Sequence, residues 1–249
     1  MPTNKLITLA EAVRRYTWDG MQYASGAALP VGSDAIAFGR ELLRQRRREL
    51  HAIFHANTQQ LNLLAAAGAV TQAECGFSGL EGFGFANGLR RAIEQGRLVL
   101  EDFSNLAMTL RLLGGALNWP FVPATVNIGS DLQHRRAFEP ALYPNPNKIP
   151  SVTDPFSGKE IGAFAPLRPD LAAIHVTLAD PEGNAIMLGT EFGLELLQMA
   201  FAAATAIGVD DTKAYGATFV AQAGVAMLVP LLLLVAARSG RAVHPARES

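Results

Sequence analysis

Across residues 1–130, short apolar runs alternate with amphipathic helical patterns, and that alternation restricts the chain more than any other feature. Residues 8–16 read as a helix, with Thr8 as N-cap and Glu11 three residues later completing a capping box. Asp19-Gly20 is a turn ahead of a strand at 21–25 and a small-residue loop at 25–33. Asp34 then caps a helix to about residue 48, its apolar face built from Ile36, Phe38, Leu42 and Leu43. Further strands are expected at 50–54, 70–75 and 98–101, and helices at 61–67, 90–95 and 104–113, with Pro120-Phe121-Val122-Pro123 as a hard stop. This order predicts an α/β fold: an open, doubly wound, mostly parallel sheet with helices on both faces. Ligands of such sheets sit at loops leaving the carboxyl ends of strands. That selects the loops at 25–33, 56–60 and 76–88.

The second half opens with a proline-rich excursion at 140–155 that has no clear periodicity. Residues 171–178 form the clearest strand, an apolar run around His175. A turn at 180–184 and a returning strand at 185–188 follow, then an alanine-rich helix at 191–204. Residues 217–236 are almost wholly apolar and have the length of a bilayer span, roughly 20 residues of helix. Pro230 sits badly inside a helix and well before a strand. The run is therefore read as a loop and a buried strand divided near Pro230, with 225–229 and 231–235 supplying the apolar residues.

With 249 residues, 49% hydrophobic and 17% charged, the chain can bury a substantial core, and a single domain over 1–249 is expected. A net charge of −1 gives no electrostatic reason to expect nucleic acid or acidic lipid as a partner. One cysteine, Cys75, rules out an internal disulfide and a cysteine-rich zinc site. The opening residues are too weakly apolar for a secretory signal, so a cytoplasmic protein is expected.

The loop Gly26-Ala27-Ala28-Leu29-Pro30-Val31-Gly32 lies between a strand and a helix, where small residues let backbone N–H groups approach an anion. It is neither GxGxxG nor a P-loop, and an ordinary βα turn explains it equally. Residues 76–85 concentrate four glycines and three phenylalanines, with Ser78 offering a hydroxyl and Glu81 a carboxylate. Three aromatics in one loop favour contact with a partner over plain solvent exposure. The five histidines are scattered: His51 and His55 lack an obvious third ligand, and His175 reads as a satisfied core residue, so no metal site is expected. Ser78 has no visible His and Asp partners, which leaves a hydrolase triad unsupported. Arg44-Gln45-Arg46-Arg47-Arg48 is read as the solvated end of a helix.

Taken in order, these segments resemble the alpha subunit of class I coenzyme A transferases, the glutaconate and 3-oxoacid CoA-transferase family. The resemblance rests on Asp19-Gly20-Met21 with the loop from Gly26 to Gly32, on the glycine-rich segment 76–84, and on Glu101-Asp102-Phe103-Ser104. Pro120-Phe121 and Gly129-Ser130-Asp131-Leu132 continue it, and the run 169–176 with Asp180 and Gly183-Asn184 is its most specific stretch. It implies a transfer of coenzyme A, as substrate, between an acyl-CoA and a carboxylic acid. A glutamate forms an anhydride and then a glutamyl-CoA thioester. In two-chain members that glutamate belongs to a beta subunit, in a Ser-Glu-Asn-Gly-like motif absent from this chain. The resemblance thus implies a beta partner of the same fold, no permanently bound cofactor, and no catalytic nucleophile here. Gly26, Ala27, Gly32 and Gly79 would contact CoA or the acyl group, with Ser78 and Glu81 in support.

Two departures stand out. Ala27 and Ala28 replace the Gly-Phe of the family's first loop, and Leu234-Val235-Ala236 stands where members place Val-Asp-Ala. Some proteins of this fold hydrolyse CoA esters, and for that chemistry Glu81, Glu101 and Asp102 are the acid or base candidates. A non-catalytic binding subunit is the third reading.

Overall fold

Thr8 starts the first helix as its sequence requires: its hydroxyl accepts from Glu11 N at 3.2 Å. Glu11 itself turns to Arg15 instead of closing the capping box. The computed structural model describes residues 5–26, 34–56, 59–138, 147–176, 178–186, 217–222 and 231–237. Within them, β1 (Leu6–Ile7) leads into α1 (Leu9–Tyr16), and three strand–helix pairs follow. These are β2 (Gln22–Ser25) with α2 (Ile36–Arg44), β3 (Leu50–Ala56) with α3 (Gln59–Ala66), and β4 (Val70–Phe77) with α4 (Asn87–Glu94). Next come β5 (Val99–Asp102), α5 (Asn105–Ala116), β6 (Val122–Ala124), α6 (Asp131–His134), β7 (Ser151–Thr153) and β8 (Glu160–Phe164). The chain returns through β9 (Leu171–Val176), the short hairpin β10 (Leu178–Ala179) and β11 (Ala185–Ile186), then β12 (Ala217–Gln222) and β13 (Leu231–Ala237).

The main sheet has the order β1-β12-β13-β9-β2-β3-β4-β5. All its pairs are parallel except β12–β13 and β13–β9. Strands β3, β4 and β5 step outward from one side of β2 and β9 joins the other, so strand order reverses at the β9–β2 boundary. Period-two alternation divides the residues between two cores. Tyr23, Ala52, Phe54, Ala73, Leu171 and Ala173 face α1 to α4. Ala24, Ile53, Ala172, Ile174 and Val176 face α5 and the segment around β6 and β8.

Several expectations change. Among the described residues the second face is covered by α5 together with a three-stranded antiparallel sheet, β6-β8-β7, and not by helices alone. Strand β6 comes from the hard stop at 120–123, β7 from the aperiodic stretch at 140–155 and β8 from just beyond it, each too short to show a pattern. Asp34 does not start α2, which lacks a side-chain cap; its carboxylate accepts from Gln60 N at 3.0 Å, in the first turn of α3. Helix α2 ends at Arg44 and not near 48, because Arg46 adopts φ 58°. Arg47 then reaches Thr17 Oγ1 at 2.8 Å, so the arginine run ties α2 to the end of α1. The apolar tail contains two strands where one was expected: β12 and β13 pair antiparallel, from Ala217↔Ala236 to Gln222↔Leu231. The departure Leu234-Val235-Ala236 lies in β13, paired with Ile174, Ala173 and Ala172. No helix among the described residues is long and apolar enough to cross a membrane. His175 is half-buried in β9, not enclosed in the core. The expected helix at 191–204 and the apolar run at 225–229 lie outside the described residues.

Candidate active site

The carboxyl ends of β2, β3, β4 and β5 lie side by side at one edge of the main sheet. Gly26 follows β2 at the switch point, donating to Ala173 O at 3.3 Å. Ala27 and Gly32 lie outside the described residues. Beyond β4, the glycine-rich loop folds back on itself: Phe83 N donates to Leu80 O and Leu80 N to Gly84 O, each at 2.9 Å. Gly84 takes φ 99°, a conformation that would strain any side chain. Gly79 lies so close to Phe77 that a Cβ would stand 2.8 Å from the ring. Glu81 begins a 3-10 turn, Glu81–Phe83. Phe83 and Phe85 are 78% and 75% exposed, so the aromatic patch expected in this loop is present.

Ser78 hydrogen-bonds with the buried Cys75, whose thiol is pushed up to about 12 by burial, against the effect of that hydrogen bond. Cys75 therefore stays protonated and is no nucleophile at neutral pH. A cavity of about 250 Å³ opens between the loop and α4, bounded by Ser78, Phe85, Leu89 and Arg90. Of the predicted residues, Ser78 lines this cavity with Gly79 next to it in the chain, and Gly26 stands at the end of a strand two positions away.

A second cavity, about 260 Å³, lies on the other face beside Glu101, Phe103, Arg111, Phe121, Lys148 and Phe164. Glu101 and Asp102, adjacent in sequence, diverge here. Glu101 is buried: its Oε1 lies 2.9 Å from Lys148 Nζ, and its Oε2 accepts from Ala137 N and Phe138 N at 2.9 and 3.0 Å. The Asp102 side chain is 59% exposed and meets Lys148 Nζ at 3.0 Å. Lys148 and Arg111 flank the Phe103 ring, 4.5 and 4.0 Å from its centroid. Arg111 Nη1 pairs with Glu74 Oε2 at 2.7 Å, and Glu74 Oε1 lies 3.1 Å from His51 Nε2. On the other side of the ring, Gln22 Nε2 stands 3.3 Å from His51 Nδ1. Burial raises the Glu74 pKa, but Arg111 and then His51 outweigh it and hold the carboxyl at about 2. His51 is thus joined to Glu74 in a buried pair.

Sequence reasoning missed Glu74, Arg111 and Lys148. The signal for the first two was a charge between apolar neighbours, Glu74 between Ala73 and Cys75 and Arg111 between Leu110 and Leu112. Lys148 lay in the aperiodic stretch and carried no signal.

A family model described as Coenzyme A transferase matches residues 6–221. The chain is 30% identical over 188 residues to the A-type subunit of 3-oxoadipate CoA-transferase from Pseudomonas knackmussii, covering 74% of this chain and 62% of that protein. It is 28% identical over 199 residues to the cholesterol ring-cleaving hydrolase IpdA subunit of Rhodococcus jostii, covering 76% and 62%. Its fold matches the crystal structure of glutaconate coenzyme A-transferase from Acidaminococcus fermentans with a TM-score of 0.74 at 25% identity, over 80% of this chain and 64% of that one. The chain therefore spans less than two thirds of the length of these relatives.

Proposed function

We infer the function from one premise, that this chain belongs to the coenzyme A transferase family. On that premise we propose that it is the A-type subunit of an acyl-CoA transferase, moving CoA between an acyl-CoA and a carboxylic acid. The nucleophilic glutamate is supplied by a separate beta chain of the same fold. The observation that carries the reading is the family match across 6–221, which takes in every strand of the parallel carboxyl edge. In this assignment Gly26, Ala27, Gly32 and Gly79 approach the CoA ester through backbone, and Ser78 and Glu81 support the acyl group. Coenzyme A is the substrate and no cofactor is permanently bound. The single cysteine and near-neutral charge balance support a cytoplasmic, single-domain protein whose partners are the beta chain and its substrates, not nucleic acid or a membrane.

A second reading, hydrolysis of a CoA ester, is favoured by one observation: Glu101 lines the 260 Å³ cavity, gripped by a buried lysine and two amides. Isolation of the tagged chain with whatever co-purifies, followed by a CoA-exchange assay between acyl-CoA and free acids, tests both. Exchange in a stoichiometric complex supports the transferase. Release of free CoA to water, abolished by Glu101→Gln, moves the assignment to a hydrolase. Purification without a partner overturns the two-chain reading.

A further inference from the structure

Gln60 lies in the first turn of α3, fully buried, and its polar groups cross to residues on both sides of the 26–33 connection. Its Nε2 donates to Ala35 O at 2.7 Å and to Ser25 Oγ at 3.2 Å. Its Oε1 accepts from the Tyr23 hydroxyl at 3.2 Å, and its main-chain N–H donates to Asp34 Oδ2 at 3.0 Å. Tyr23 and Ser25 belong to β2, before the connection; Asp34 and Ala35 follow it. Helix α2 is fitted to this side chain, since a Cβ at Gly39 would stand 2.6 Å from Gln60 Cγ. Burial, with the nearby Asp34 charge, raises the Tyr23 phenol well above its usual range, so its hydroxyl remains a donor. An apolar residue at position 60 would leave the buried Tyr23 hydroxyl without its acceptor and remove the amide that joins Ser25 to Ala35.

We propose that Gln60 is a positioning residue for the described ends of the 26–33 connection: one buried amide ties Tyr23 and Ser25 to Ala35 and so sets the position of Gly26, assigned above to the CoA ester. The inference rests on the proposed function only for the identity of that ligand. The clamp itself is a property of the fold, and two separate measurements distinguish them.

Hydrogen exchange read by mass spectrometry on the full chain compares the wild type with Gln60→Leu and Ser25→Ala. Leu61→Ala, which loosens the same helix without touching the clamp, is the control. Gln60→Leu is expected to speed exchange at 23–26 and 34–36 about tenfold, Ser25→Ala less and in the same two segments, and Leu61→Ala with no selectivity for them. If Gln60→Leu does not fold, Ser25→Ala alone decides. In the complex with the native partner, both clamp variants are expected to raise KM for acyl-CoA severalfold while kcat changes little. Unchanged exchange at 23–26 and 34–36, the same pattern in Leu61→Ala, or selective exchange with an unmoved acyl-CoA KM overturns the proposal. Selective exchange in a chain whose wild-type complex performs no CoA chemistry keeps the clamp and removes the proposed function.

Discussion

Glu74 shows how one residue can be decisive and still be nearly invisible in a sequence. It sits between Ala73 and Cys75, wholly buried, and is held ionised by Arg111 on α5 and by His51 on β3. Removing one partner of a buried pair leaves the other charge stranded, which costs about 3–5 kcal/mol. Arg111→Met is therefore expected to lower unfolding free energy by that amount in urea titrations, and Glu74→Gln by less, because the amide oxygen can still accept from Arg111. The pH dependence follows from the sign of the shift. The Glu74 carboxyl is depressed from 4.5 to about 2, so the stability it contributes is present above the unfolded value and is lost as pH falls through the folded one. Acid titration should show a loss on the order of 3 kcal/mol between pH 4.5 and 2, missing in Glu74→Gln.

Among the elements, capping is the device that separates the correct readings from the incorrect ones. Thr8 caps α1 and Ser104 caps α5, where its hydroxyl accepts from Ala107 N at 3.2 Å. Both are local: the cap and the helix are neighbours in sequence, so the pattern was readable. Asp34 looks the same in sequence but bonds across 26 residues to α3. Thr8→Ala should cost about 1 kcal/mol and loosen α1 alone in hydrogen exchange. Asp34→Ala should cost a similar amount but loosen α3, leaving α2 protection unchanged. If α2 lost protection instead, Asp34 would be its cap after all.

At the scale of the whole molecule, the carboxyl edge of the sheet carries an aromatic surface in Phe77, Phe83 and Phe85. Exposed side chains contribute little to folding, so Phe83→Ser with Phe85→Ser should shift stability by under about 0.5 kcal/mol. On the proposed function, the same double variant should lose the co-purifying partner; retention of the partner would place the interface elsewhere. Local pattern was sufficient for the alternation of strands and helices from β2 to α5, the turns at 19–20 and 180–184, and the glycine-rich segment beyond β4. Each depends on periodicity, caps or glycine within a few residues. Long-range packing was needed to establish what covers the second face, that the apolar tail splits into two antiparallel strands, and that Glu101 is buried while Asp102 is exposed. It also brought Lys148 and Arg111 to one phenylalanine ring. These outcomes depend on contacts between residues far apart in the chain, and a local pattern cannot register a partner it does not contain.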